Sequence, residues 1–344
     1  MLKLCCLAIF VALSAGCSAV EPLLLRDPTI NLVWPSPPDN PRIRYLRDIK
    51  GPEDIFPAKT RIQEFSELLT GDSRQMLELM TPYSVTTDDH DLLFIADPTA
   101  GVVHRYDLKA REVAYIVRAG DELLQSPVAV ALDSEGNLFV SDSQLAKVFK
   151  YSSSGEFRQE VVPPGGFRRP AGIAISPTGE MFVVDVLANK LLKFNRNLVF
   201  VSDFPAILEG EELNTPSHVA IGKDGKVYVT DAMNFYVRVY DPNGHQVRRI
   251  GGIGDVPGTF ARPKGLALDS EQNIYIVDAT HDNFQVFNQE GQLLIFVGNS
   301  GDGAGGFYLP SGIHINRFNR VFIADTFNRR IQLFQLLNTG GKHE

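Results

Sequence analysis

The chain has 344 residues, of which 44% are hydrophobic and 22% are charged, and its formal net charge at pH 7 is −8. This composition is typical of a globular protein with a sizeable core. The acidity argues against a nucleic-acid-binding surface, which needs clustered Lys and Arg to neutralise phosphates, and against a surface held by anionic lipid headgroups.

The N-terminus has the features of a secretory signal. Lys3 precedes an apolar run from Leu4 to Leu13, which is too short to span a bilayer, and small residues then lead to Cys17. The segment Ser14-Ala15-Gly16-Cys17 resembles the lipobox of bacterial lipoproteins, with Ser14 where leucine is usual. The resemblance implies a signal peptide over 1–16, a lipid on Cys17 and, because Ser18 follows, sorting to the outer membrane of the cell envelope. A secreted protein cut nearby is the alternative.

The other two cysteines, Cys5 and Cys6, fall inside the predicted signal peptide. The mature chain is therefore expected to have no disulfide and no cysteine-based metal site. Residues 17–41 contain six prolines and the only tryptophan, Trp34. Because dense proline removes backbone donors and favours extended conformations, this segment is predicted to be a semi-rigid tether, with Trp34 packed against its own domain.

Six copies of one pattern follow, in each of which a proline and an aspartate stand fifteen residues apart. The pairs are Pro82 and Asp97, Pro127 and Asp142, Pro170 and Asp185, Pro216 and Asp231, Pro263 and Asp278, Pro310 and Asp325. Successive aspartates are separated by 45, 43, 46, 47 and 47 residues. A period of this length indicates a repeat array, a solenoid or a propeller.

Each of the first five copies predicts a four-stranded antiparallel sheet, and the sixth predicts its first three strands. In the fifth copy the strands read GLALD, NIYIVD, FQVFN and QLLIFVG, with polar turns between them. One such sheet is not stable alone, but six arranged radially bury their faces against each other. Small residues two and four positions after most of the prolines suit an innermost strand, where the blades converge. The sequence therefore predicts an all-β, six-bladed β-propeller over residues 42–337.

The strand count predicts how the ring closes. The sixth copy lacks a fourth strand, and 338–344 form a short tail. Residues 42–51, RIRYLRDIKG, match the fourth-strand pattern and are predicted to complete the last blade, which removes open sheet edges. The insertion at about 52–80 is predicted to contain a helix that starts at a capping box, Thr60–Gln63, and ends at Gly71.

The repeated pattern resembles the NHL repeat. It has two fullest versions here, one with Asp231, Asn234 and Arg238 and the other with Asp325, Asn328, Arg329 and Arg330. Residues 251–263 resemble its inter-blade loop. With the lipobox and the proline-rich segment, the chain resembles bacterial six-bladed NHL-repeat lipoproteins. The resemblance implies a fold and a location more than an activity.

The repeat aspartates are predicted to be structural. Asp97, Asp142, Asp185, Asp231, Asp278 and Asp325 each follow a second strand, so they lie on one rim but far apart around the axis. A carboxylate in this place accepts backbone N–H bonds from the following turn.

His218 and His314 occupy near-equivalent inner-strand positions and are the candidate axial ligand site, because some NHL propellers are lyases with metal-binding histidines near the axis. No third histidine stands in phase with them. Our interpretation is two neutral histidines near a channel, without a metal cofactor.

Two functions remain open. The first is a membrane-anchored interaction or scaffold protein that binds a protein or peptide in the cell envelope. Its binding surface would be the rim that carries 52–80, 204–215, 251–262 and 298–309, since recognition usually lies on loops held by a rigid scaffold. On that rim Tyr308 adds aromatic area, whereas Phe260 and Phe307 are expected to pack between blades. The second is a metal-dependent lyase or hydrolase with a site on the propeller axis.

Overall fold

The proline–aspartate repeat produces a ring of six four-stranded antiparallel blades, as the sequence predicts. The computed structural model describes residues 23–56, 76–205 and 212–337. The helix predicted within 52–80 falls on residues 57–75, which lie outside the described ranges. Within those ranges the helical elements are two 3-10 turns, Pro52–Asp54 and Ala232–Asn234.

The strands have the same order in every blade, from the axis outwards. The first strands are Ser84–Thr87, Pro127–Leu132, Pro170–Ile175, Pro216–Ile221, Pro263–Leu268 and Ile313–Ile315. The second strands are Leu92–Asp97, Leu138–Asp142, Met181–Asp185, Val227–Asp231, Ile274–Asp278 and Arg320–Asp325. The third strands are Val102–Asp107, Lys147–Tyr151, Lys190–Phe194, Tyr236–Tyr240, Asn283–Phe287 and Arg330–Leu336. The fourth strands are Glu112–Ile116, Phe157–Val161, Phe200–Asp203, Gln246–Gly251, Leu293–Val297 and, for the last blade, Ile43–Ile49.

Two short two-stranded ribbons lie in the connections between blades. Arg118–Ala119 pairs with Glu122–Leu123 antiparallel, and Asn299–Ser300 pairs with Gly306–Phe307 in parallel.

The core is divided into six clusters, one between each pair of neighbouring blades. Alternate residues of a second strand point to opposite sides of the blade, so each strand contributes to two clusters. In the third blade, Met181 and Val183 pack towards the second blade, whereas Phe182 and Val184 pack towards the fourth. The apolar second strands of the sequence are therefore buried on both faces.

The inner strands approach each other too closely for larger side chains at some positions. A Cβ atom on Gly265 would lie 2.4 Å from the carbonyl oxygen of Ser311, and one on Gly312 would lie 2.6 Å from that of Tyr83. Contacts between backbones of neighbouring blades thus explain the small residues that follow the prolines.

The N-terminal strand closes the ring. Ile43–Ile49 pairs antiparallel with Arg330–Leu336, and Tyr45 and Ile49 are nearly or fully buried in the clusters on the two sides of the last blade. Two side-chain hydroxyl groups of the last blade donate hydrogen bonds to the first blade. Ser311 Oγ donates to the Tyr83 carbonyl at 2.6 Å, and Thr326 Oγ1 donates to the Pro82 carbonyl at 2.8 Å.

Part of the segment expected to be a tether lies on the propeller. Val33–Trp34 forms a fifth strand beside Ile43–Arg44, and the Trp34 ring packs 5.8 Å from that of Phe334. Leu23 and Leu25 contact the cluster between the last and first blades. The apolar residues between the prolines therefore hold residues 23–34 against the last blade, and Trp34 packs against its own domain.

Replacing Tyr45 by alanine is expected to lower the free energy of unfolding by about 3–5 kcal/mol, because it removes a buried aromatic ring from the closing strand. Tyr45 is 1% exposed and its ring packs edge-on against Phe334, with centroids 5.6 Å apart. Leu24, which is 74% exposed, supplies the matched control, and Leu24→Ala should change stability by less than about 0.5 kcal/mol. Urea denaturation measures both. Equal midpoints for the two variants would show that the N-terminal strand is not part of the core.

Candidate functional site: the loop-rich rim and the axial cavity

The repeat aspartates attach the connections between blades to the ends of the second strands. All six carboxylates are buried. Asp142 accepts the backbone N–H groups of Gln125 at 2.7 Å and Ser126 at 3.0 Å, and that of Leu145 in the following turn at 3.0 Å. The sequence predicted the bonds from the following turn but not those from the segment before the proline.

In the fourth and sixth blades, side chains add to this arrangement. Asp231 Oδ2 accepts from Asn234 Nδ2 at 2.9 Å and from Arg238 Nε at 2.6 Å. Asp325 Oδ2 likewise accepts from Asn328 Nδ2 at 2.9 Å and Arg330 Nε at 2.8 Å. In these two blades, the residues that carry the resemblance to NHL repeats thus form one hydrogen-bonded cluster around a buried carboxylate.

The first blade uses a histidine where the fourth uses arginine. His104 is fully buried, with Nε2 at 3.6 Å from Asp97 Oδ2 and Nδ1 at 3.1 Å from the Tyr106 hydroxyl. Burial by itself would raise the pKa of Asp97, but His104 and the backbone N–H groups of Met80, Ala100 and Thr81 lower it. The carboxylate is therefore held charged by His104 and by the loop that it anchors.

Two rims result from this geometry. We call the rim that carries the connections between blades and the turns after the repeat aspartates the loop-rich rim. The opposite rim carries the turns from first to second and from third to fourth strands, and we call it the short-turn rim. Proline and aspartate of one repeat lie side by side, as for Pro216 and Asp231, so both belong to the loop-rich rim.

Of the 18 exposed large apolar side chains among the described residues, ten lie on the loop-rich rim, five on the fourth strands, two on the short-turn rim and one near the N-terminus. Those on the loop-rich rim are Met80, Val117, Leu123, Val162, Leu187, Met233, Ile253, Val256, Tyr308 and Phe327. Ile253 is 73% exposed, and the rings of Tyr308 and Phe327, 5.3 Å apart, are each about half exposed. Phe260 and Phe307 are fully buried between blades, as expected.

A cavity of about 430 Å³ lies on the propeller axis. The inner strands of all six blades line it, and His218 and His314 both contribute to its wall. Half-buried aliphatic residues form a collar near the short-turn rim: Leu132, Ile175, Ile221, Leu268 and Ile315.

Both axial histidines are neutral at physiological pH. Each ring is half-buried on the wall of a narrow channel, and this desolvation lowers the pKa of His218 to about 3 and that of His314 to about 4. The charge of Lys264 contributes to the lower pKa of His218. His218 Nδ1 lies 3.2 Å from Ser217 Oγ, and His314 Nδ1 lies 3.5 Å from Thr86 Oγ1.

The structure brings the two histidines into one cavity but gives them no further metal-binding side chain. Across the described residues, no three His, Cys, Asp or Glu side chains converge in a way that holds a metal ion. Cys17, the predicted lipid site, precedes the described residues.

Sequence reasoning missed Tyr83 and Lys264, which lie at the loop-rich end of the channel. The Lys264 Nζ donates a hydrogen bond of 2.9 Å to the Tyr83 hydroxyl, and the Tyr83 ring stacks on His218, with centroids 6.4 Å apart. Both residues immediately follow a repeat proline. A comparison of the six residues at that position would have singled them out.

Comparisons with known proteins agree with the fold. A family model described as a 6-bladed beta-propeller matches residues 210–284. NHL repeat-containing protein 3 of Homo sapiens is 28% identical over an alignment of 155 residues, and the match covers 38% of this chain and 43% of that protein. The chain therefore matches less than half the length of this relative.

Solved structures are similar at low sequence identity. The auxiliary nutrient binding protein from Bacteroides thetaiotaomicron is 14% identical with a TM-score of 0.60, over 74% of this chain and 69% of that one. Virginiamycin B lyase from Staphylococcus aureus is 14% identical with a TM-score of 0.55, over 75% and 96%. At this identity the likeness shows the propeller fold.

We expect stability to fall as the pH drops from about 6.5 to about 4, and less so in a His314→Gln variant. The folded-state pKa of His314 lies below its unfolded value of about 6.5, so in this interval the unfolded chain binds a proton that the folded chain does not. Urea denaturation across the interval measures the slope. His90→Gln, at an exposed turn, is the control and should follow the wild type. A wild-type slope in His314→Gln would contradict the account of a desolvated, neutral imidazole.

Proposed function

We propose that the protein is a lipid-anchored binding or scaffold protein of the bacterial cell envelope, which binds a protein or peptide partner through the loop-rich rim. The observation that carries this proposal is the concentration of exposed apolar side chains on that rim. Single exposed apolar residues are normal on any surface, but their accumulation on one face is typical of interaction sites. The turns of the short-turn rim have few exposed large apolar side chains, which include Phe318 and Val199.

The loop-rich rim is also held in shape before a partner arrives. Tyr308 donates its backbone N–H to Asp325 Oδ1 at 2.9 Å, and its carbonyl accepts the N–H of Phe327 at 3.1 Å. Both aromatic rings therefore stand on backbone segments tied to a buried carboxylate. A preorganised surface loses less conformational entropy on binding, and aromatic side chains are frequent binding hot spots.

Two comparisons support a binding role. The solved structure described as an auxiliary nutrient binding protein has the same type of fold, and the human relative, named for its NHL repeats, shares sequence with part of this chain. The net charge of −8 favours a protein or peptide over a nucleic acid as the partner. The described residues contain no helix long and apolar enough to cross a membrane, and we propose attachment through a lipid on Cys17, in the outer membrane.

The alternative is a metal-dependent lyase or hydrolase with its site in the axial cavity. The cavity itself and the fold likeness to virginiamycin B lyase favour it. We place it second because His218 and His314 are joined by no third metal-binding side chain among the described residues. Stoichiometric metal in protein purified without a histidine tag, lost in the His218→Ala, His314→Ala double variant, would favour the enzyme instead.

Anchoring is tested by Cys17→Ala. Without the thiol no acyl chain can be attached, and we expect the protein to move from the membrane fraction to the soluble extracytoplasmic fraction. Two acyl chains give stable anchoring, so their loss should remove nearly all membrane association. The control is Cys5→Ala, within the predicted signal peptide, which should leave fractionation unchanged. A Cys17→Ala protein that still fractionates with membranes would disprove the lipid anchor.

The binding surface is tested by photocrosslinking in intact cells. A photoreactive amino acid is placed at Met233 or Phe327 on the loop-rich rim, and at Val199 or Phe318 on the short-turn rim. All four side chains are between 46% and 59% exposed, so accessibility is matched. We expect a discrete crosslinked species from the first two positions and not from the other two. Crosslinks from the short-turn rim alone, or from none of the positions, would contradict the proposal.

A further inference from the structure

The residue that follows each repeat proline stands at the loop-rich end of the axial channel. These six residues are Tyr83, Val128, Ala171, Ser217, Lys264 and Ser311. Lys264 is the only charged residue among them, and it is half-buried. Among these six positions, the ring therefore places one cation beside its axis, on the side of the proposed binding surface.

Tyr83 extends across the channel. It belongs to the first blade, and its ring stacks on His218 of the fourth blade with an interplanar angle of 21°. In a ring of six, the first and fourth blades face each other across the axis. Lys264 reaches the Tyr83 hydroxyl from the fifth blade. Three blades thus bring a hydroxyl, an ammonium and a neutral imidazole together at one end of the channel.

The charge of Lys264 has no carboxylate partner among the described residues. Its polar contact there is the Tyr83 hydroxyl, at 2.9 Å. Other half-buried lysines differ, since Lys147 pairs with Glu122 at 2.8 Å and Lys193 with Glu180 at 2.8 Å. A partly buried charge is costly unless it is paired. The Tyr83 ring, whose centroid lies 5.4 Å from the Lys264 Nζ, offsets only part of this cost, so a lysine without a carboxylate partner beside the axis is better explained by a ligand than by stability.

The donors at this place match a carboxylate. The Lys264 ammonium has three N–H groups and uses one for Tyr83. The Tyr83 oxygen accepts that hydrogen bond, so its own proton remains available for donation. An oxygen anion placed between them receives one bond from a cation and one from a hydroxyl. Hydrogen bonds between charged groups are about twice as strong as those between neutral groups.

We propose that Lys264 and Tyr83 bind a carboxylate of the partner, from an Asp or Glu side chain or a chain terminus, at the centre of the loop-rich rim. This inference rests on the proposed function, because it names the chemistry of the partner at the same surface. The apolar side chains of the rim surround this position. The partner segment therefore carries an acidic group flanked by apolar residues.

Acetate is the probe that tests the site without a known partner, and acetamide is its neutral analogue. In NMR titrations of the isotope-labelled mature protein, acetate is expected to shift the signals of Tyr83, Ser217 and Lys264 saturably, and acetamide to bind at least about tenfold more weakly. Lys264→Met should weaken acetate binding by at least about tenfold, and Lys264→Arg should retain it. Lys223→Met, which removes a lysine near the other end of the axial cavity, should change nothing.

Several results would overturn the inference. Equal binding of acetate and acetamide, wild-type acetate binding by Lys264→Met, or the absence of saturable shifts would each do so. Unchanged signals from the outer strands show that the Lys264 variants are folded.

Crosslinking from Phe327 separates this inference from the proposed function. The proposed function fails when the protein that carries the photoreactive residue at position 327, and no other change, gives no crosslinked species. When the species forms and is unaffected by Lys264→Met, the rim binds a partner but the carboxylate site is wrong. Loss of the species in Lys264→Met, but not in Lys223→Met, supports both.

Discussion

A buried carboxylate at the end of each second strand is the constraint on which the rest of the structure depends. Burying a charged group is unfavourable unless hydrogen bonds replace its water, and here backbone N–H groups do so. In the third blade Asp185 accepts from Arg168 at 2.7 Å and from Arg169 at 2.9 Å. Because those amides belong to the connection from the preceding blade, each aspartate joins two blades and fixes the loop between them.

This constraint has a consequence for function. The connections vary in length and sequence, whereas the bonds that hold their last residues to the aspartates recur around the ring. The surface can therefore change its side chains without losing its shape. A rigid scaffold with variable loops on one rim is the arrangement in which binding sites usually occur.

Much of the fold could be predicted because it repeats. Six proline–aspartate pairs in phase specify six blades, and the missing last strand specifies closure by residues 42–51, both of which the structure shows. The packing of residues 23–34 could not be predicted, because their prolines indicate an extended chain but not the surface that it contacts. Leu32 shows this, since its carbonyl accepts the Tyr45 N–H at 3.0 Å within the last blade.

The candidate site was harder to predict than the fold, because its contacts join residues of different repeats. His218 and His314 stood out as unusual inner-strand residues, and they do share the axial cavity. The contact between Tyr83 and Lys264 joins the first and fifth blades, so no local pattern reveals it. Only the ring geometry brings them together, and only a comparison of equivalent positions in the six repeats marks Lys264 as exceptional.

Hydrogen exchange at the amides of Arg168 and Arg169 tests most directly whether the aspartates fix the loop-rich rim. In the wild type these amides should be protected, because both donate to the buried Asp185 carboxylate. Asp185→Asn leaves one carbonyl oxygen in place of two acceptors, and a buried donor without its acceptor costs about 1–3 kcal/mol. We predict at least about tenfold faster exchange at one or both amides, with Val183 in the second strand unchanged. Wild-type protection of both amides in the variant would contradict the account.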